Sequence, residues 1–111
     1  MLKKLEEILI KHEIQFDVSE IDKNRYEFRW LNGEADMAVY ADGNNLEDIA
    51  EVLYNEYENF DVDEETALWI GEDGHGKNGA PYHIRDIIQE FERYEQDLDD
   101  LWTAIKQEAD K

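Results

Sequence analysis

The chain has 111 residues, no cysteine, and 30 Asp and Glu against 11 Lys and Arg, for a formal net charge of −19. That length sets one domain with a modest core, and the lack of cysteine excludes disulfides and thiolate metal sites. The shortage of clustered Lys and Arg excludes direct binding to DNA, RNA or an anionic membrane through phosphate contacts.

Charge at this density also marks disordered chains. Here 41% of the residues are hydrophobic, and they recur periodically, which specifies a folded domain. Residues 2–12 read as a short helix, with Leu2, Leu5, Ile8 and Leu9 at helical spacing. Its charged start is not a secretory signal, and no apolar run approaches a membrane span, so a cytoplasmic protein is expected. The alternation Ile14-Gln15-Phe16-Asp17-Val18 predicts a first strand, and Asp22-Lys23-Asn24 a turn. Tyr26, Phe28 and Trp30 alternate with Glu27 and Arg29, giving a second strand with one aromatic face. Asn32-Gly33 is a hairpin signal, because both residues tolerate positive φ, and Met37–Tyr40 returns as a third strand. Asp42–Asn45 breaks the sheet, and Asn45 is placed to cap a helix from Leu46 to about Glu58, with Leu46, Ile49, Ala50, Leu53 and Tyr57 as its apolar stripe.

Asp63 is the predicted cap of a short third helix that holds Ala67, Leu68, Trp69 and Ile70. Residues 71–80 hold four of the six glycines and read as a flexible loop. Pro81 suits the first position of a last helix. There Ile84, Ile87, Phe91, Tyr94, Leu98, Leu101 and Ile105 repeat over three heptads, widened by Ile88 and Trp102. A stripe that broad predicts packing on the sheet and the shorter helices, with a seam between two chains, and hence a homodimer, as the other reading. The predicted fold is α+β: a three-stranded antiparallel meander covered by helices, in the order α-β-β-β-α-α-α, as a single domain over 1–111.

The charge is not spread evenly. Between Asp42 and Asp73 stand twelve Asp or Glu and no Lys or Arg, so this block carries −12, against −3 for residues 1–41 and −4 for residues 74–111. Solubility alone needs a net charge of about 2–8 in a small domain, and uncompensated like charge weakens the folded state. A localised field of this size points to a cationic partner. On the second helix Glu47, Glu51 and Glu58 fall on one face, expected to lie opposite the apolar stripe, with Asp48 and Glu56 beside them. Carboxylates four residues apart stand about 5–6 Å from each other, broadly the separation of phosphates along a strand. Asp61, Asp63, Glu64, Glu65, Glu72 and Asp73 extend the row. The residues expected to contact the partner are Glu47, Glu51, Glu58, Asp61, Glu64 and Glu65. The competing reading is a solvated face, and the acids near Asp63 are partly explained by capping and by the helix dipole.

Other chemistry is poorly supported. His75, in Gly74-His75-Gly76, has no zinc-motif spacing to His12 or His83, and a loop histidine is the simpler reading. Neither the Asp61–Glu65 run nor the Glu72–Gly79 loop follows the calcium-binding pattern. Ser19, Thr66 and Thr103 are the only hydroxyl nucleophiles besides the tyrosines, and none sits in a nucleophile elbow. No enzyme activity, cofactor or metal is expected. Tyr54, Tyr82 and Tyr94 would serve as interface anchors wherever they are exposed beside carboxylates.

The run from Phe60-Asp61-Val62-Asp63-Glu64-Glu65 to Trp69-Ile70, followed by Gly79-Ala80-Pro81 and Ile84-Arg85-Asp86-Ile87-Ile88, resembles small acidic proteins encoded by phages and mobile elements of Gram-positive bacteria. Some of these are anti-restriction or anti-CRISPR factors that occupy the DNA-binding groove of a nuclease. The resemblance covers about the C-terminal half and implies a cytoplasmic accessory protein of such an element. Together with the acidic block it yields the expected function, a DNA-mimic inhibitor of a basic host defence nuclease. An immunity protein against a basic nuclease toxin is a variant of that reading, and an interaction module dimerising through the last helix is the alternative.

Overall fold

The computed structural model describes residues 1–77 and 80–111. The elements run α1 (Leu2–Lys11), β1 (Phe16–Asp22), β2 (Arg25–Trp30), β3 (Ala38–Asp42), α2 (Leu46–Asn59), α3 (Val62–Trp69) and α4 (Ile84–Ala109). This is the expected α+β order, with one antiparallel sheet ordered β1-β2-β3. Phe28 at the centre of β2 stands opposite Val18 on one side and Val39 on the other. The face holding Phe16, Tyr26, Phe28, Trp30, Val39 and Ala41 is buried. On the other face, Arg25, Arg29 and Tyr40 are exposed.

α4 is the organising element. Its Ile87, Phe91, Tyr94, Leu98, Leu101 and Ile105 are all at most 3% exposed, packed into the core with α2, α3 and the sheet. The stripe is thus spent inside the chain, and of the predicted positions only Ile84, at its start, is exposed. Tyr94 lies against Phe16, Trp30 and Phe60 at 5.0–6.0 Å between ring centroids. Burial pushes its hydroxyl pKa upward, with the Glu56 and Glu65 carboxylates adding to the rise, and this tyrosine is a core residue rather than an anchor.

Several boundaries differ from the predicted ones, each for a local reason. Helix α1 ends in a Schellman arrangement, with Glu13 N–H bonded to the Ile10 carbonyl and Ile14 N–H to that of Leu9. Glu13 takes the left-handed φ of 53° that this closure requires. Ile14 therefore belongs to the helix end, and β1 begins at Phe16 rather than at residue 14. Asp61, not Asp63, caps α3, its carboxylate accepting from the Asp63 and Glu64 amides at 2.9 and 3.3 Å. Ile70 is the residue after α3 and Leu68 points outward, 61% exposed. Pro81 does not open α4, which starts at Ile84 after His83. Residues 71–77 form the expected loop, drawn in by the Ile70–Gly76 bridge. Asn78 and Gly79, both in the predicted loop and the second also in the resemblance, lie outside the described residues.

The tight turn of the meander is Lys23-Asn24, with Asn24 at φ 56°. Asn32-Gly33 makes no tight hairpin: residues 31–37 form a wide connection, and neither residue has positive φ. Two buried acids of α4 hold this connection. Glu90 accepts from the backbone amides of Glu34 and Ala35 at 2.8 and 2.9 Å. Asp97 accepts from the Trp30 indole N–H at 2.8 Å and from the Asn32 amide at 3.0 Å. Arg93 donates to the Asn32 carbonyl at 2.8 Å and lies 3.6 Å from Glu90. Gly33 is required here for space, since a Cβ at this position would overlap the Trp30 ring.

The two chain ends are clamped together. Glu108 of α4 accepts from Lys11 at 3.1 Å and lies 2.8 Å from Lys111 and 3.3 Å from His12. Hydrogen bonds from Lys111, Lys11 and His12 hold its carboxyl well down, at about 2. An acid depressed in this way stabilises the fold at pH above its unfolded value near 4.5, and the contribution is lost as pH falls through about 2. The expected result is that Glu108→Gln lowers the urea midpoint at pH 7, and that the gap to the parent chain closes progressively between pH 4.5 and 2. An unchanged gap at pH 2 would assign the loss to packing instead.

Candidate partner-binding surface

Asn45 caps α2 as predicted, its side chain accepting from the Asp48 amide at 2.9 Å. Leu46, Ile49, Ala50 and Leu53 then turn inward. At 3.6 residues per turn, Glu47, Glu58 and Glu51 fall roughly 110°, 130° and 150° from the middle of that stripe. Glu47 and Glu51 nevertheless reach a groove between α2 and α4. Glu47, Ala50, Glu51 and Tyr54 line one wall of the groove, and Trp102 and Lys106 of α4 line the other.

The structure separates the six predicted contact residues. Glu47 is neutralised by Lys106, whose ammonium is 2.6 Å away and also 3.3 Å from Asp110. These contacts raise the Lys106 pKa, with the Glu47 hydrogen bond as the largest cause. Glu51 and Glu58 are exposed. Asp61 is the α3 cap described above. Glu64 is exposed on the first turn of α3, where the helix dipole favours it. Glu65 is half-buried and accepts from the Trp69 indole N–H at 3.0 Å. Asp61 and Glu65 therefore carry structural roles, and of the six only Glu51, Glu58 and Glu64 stand exposed with neither an ion pair among the described residues nor such a role. Cations distant in sequence also enter the block elsewhere, as with Arg25, 3.6 Å from Asp42.

Residues outside the predicted set complete the surface. Tyr57 is flanked by Asp99 and Glu95 of α4 and by Glu58 of its own helix. The first of these, then burial, then the other two raise its pKa. The Glu58 carboxylate, accepting from the Tyr54 hydroxyl, raises that residue's pKa as well. Trp102 donates its indole N–H to Asp99 at 2.8 Å, and its ring meets Tyr54 edge-on at 4.8 Å. The sequence carried a usable signal for Glu95 and Asp99: they stand four apart, one helical turn, on the flank that ends in Trp102.

Comparison with protein-family models, curated proteins and solved structures finds no match. The surface must therefore be read from its own chemistry. Among the described residues no three His, Cys, Asp or Glu are grouped to hold a metal ion. No described helix is long and apolar enough to cross a membrane. His75 is docked rather than free: its ring stacks on Tyr82 at 4.0 Å, and its Nδ1 lies 3.3 Å from Asp73. Hydrogen bonds from the His75 backbone and side chain hold the Asp73 carboxyl below its ordinary value.

Proposed function

We infer that this chain is a non-enzymatic acidic inhibitor, an accessory protein of a phage or mobile element. It binds the cationic nucleic-acid groove of a nuclease and excludes the nucleic acid by competition. The observation that carries this reading is the run of Glu51, Glu58, Glu95 and Asp99 along two adjacent helices, none of them ion-paired with Lys or Arg among the described residues. Six of the chain's 11 Lys and Arg — Lys11, Arg25, Arg29, Arg93, Lys106 and Lys111 — form ion pairs with other carboxylates among the described residues, which leaves these four acids without a cation. An exposed Tyr54 beside this run supplies the anchor that a purely solvating face lacks.

Capture from a bacterial lysate at low salt, followed by identification and purification of the retained protein, tests this directly. The expected partner is a basic nuclease whose affinity falls at least about tenfold between 50 and 300 mM salt. Its DNA cleavage should fall in proportion to the complex formed. Binding that is indifferent to salt, or a complex that still cleaves DNA at full rate, would remove the competitive mechanism.

A further inference from the structure

The α2–α4 groove has an aromatic wall that phosphate-like spacing of carboxylates does not require. Its apolar lining is Ala50, Tyr54 and Trp102, around a volume of about 360 Å³. Trp102 is held through Asp99, and its ring in turn meets that of Tyr54 edge-on at 4.8 Å. Tyr54 is nonetheless 39% exposed. At one end of the groove the chain's own Lys106 satisfies Glu47. On the same wall, Glu51 is exposed and has no ion pair among the described residues.

We propose that this groove receives an arginine side chain of a basic protein partner, its guanidinium against Tyr54 and Trp102 and its donors directed to Glu51. The proposal rests on the reading above and names the group on the partner that the surface selects. A guanidinium is planar, weakly hydrated and forked, so it can stack on a ring while pairing with carboxylates. An ammonium gains less from the aromatic wall, and Lys106 is held by carboxylates alone. Charge argues against a second copy as the occupant. A two-fold contact through this groove would set Glu51 against carboxylates of the other copy, and the apolar stripe of α4 is already buried.

The test is an NMR titration of the full chain with hexa-arginine and hexa-lysine peptides at equal low salt. The expected result is saturable movement of the Trp102 indole N–H and Tyr54 signals, with the arginine peptide binding about threefold to fivefold more tightly. Tyr54→Leu should erase that preference, and Glu51→Gln, at an exposed position that does not threaten the fold, should weaken both peptides. Equal affinity for the two peptides, unaltered by Tyr54→Leu, would overturn the arginine slot while leaving the acidic-inhibitor reading intact. Shifts confined to the sheet face would also overturn the slot. If neither peptide perturbs the α2–α4 surface, the slot and the inhibitor reading fall together.

Discussion

Replacing Glu51 and Glu58 with lysine together is expected to weaken binding of the cationic partner about a hundredfold or more, with no loss of stability. Each reversal removes an attraction and adds a repulsion. Near a protein surface, two charges 4 Å apart interact by roughly 1–4 kcal/mol between the bulk-water and surface limits, and 1.4 kcal/mol is tenfold in affinity. Stability should hold or rise, because both residues are exposed, neither has an ion pair among the described residues to lose, and the chain at −19 repels itself. Glu47 is left out of the pair because Lys106, 2.6 Å away, already neutralises it, and reversing it would replace that ion pair with a repulsion between two ammonium groups. Isothermal titration and thermal melts on the same preparation separate the two effects. A double variant that binds as the parent does would reduce these carboxylates to solvation. One that melts earlier would show that they support the fold.

The contrast between Glu47 and Glu51 shows where reading along the chain reaches its limit. Periodicity alone located α2, its Asn45 cap, the buried face of β2 and the α4 stripe, because each depends on neighbours within a turn or a strand. A charge block counted along the sequence misses cations that arrive from elsewhere. Lys106 is 59 residues from Glu47, and no local pattern links them. The groove was equally out of reach: only the packing of α4 on α2 makes Glu47 and Glu51 part of a groove wall. Asn32-Gly33 failed in another way. The dipeptide permits a tight hairpin, but α4 offers acceptors and a guanidinium to the same backbone, and those tertiary bonds win. A sign of this was visible, since Glu90 and Asp97 stand one heptad apart within the otherwise apolar face of α4. Two acids at core spacing call for buried partners.

Asp97→Ala should accordingly be among the most damaging single substitutions, costing about 2–4 kcal/mol. Asp97 is 8% exposed and is the acceptor for both the Trp30 indole N–H and the Asn32 amide. Alanine would strand two donors and leave a void beside Trp30, itself 4% exposed. A stranded buried donor costs about 1–3 kcal/mol, so the lost acceptor outweighs whatever is gained by no longer burying a carboxyl group. Asp97→Asn keeps an oxygen in place and should lose less than half as much. Urea unfolding followed by tryptophan emission checks both, with a red shift in the native baseline expected for alanine as water reaches the indole. The consequence extends beyond stability. Asp97 lies on α4 between Glu95 and Asp99, with its side chain turned inward while theirs face α2 and its tyrosines. One turn of helix thus uses its acids in two ways, one fixing the 31–37 connection and two forming the partner surface. Asp97→Asn should therefore retain partner affinity, whereas Glu95→Gln with Asp99→Gln should lose it at nearly full stability. If both variants lose affinity alike, the acidic surface and the buried network act as one unit, and the division between them fails.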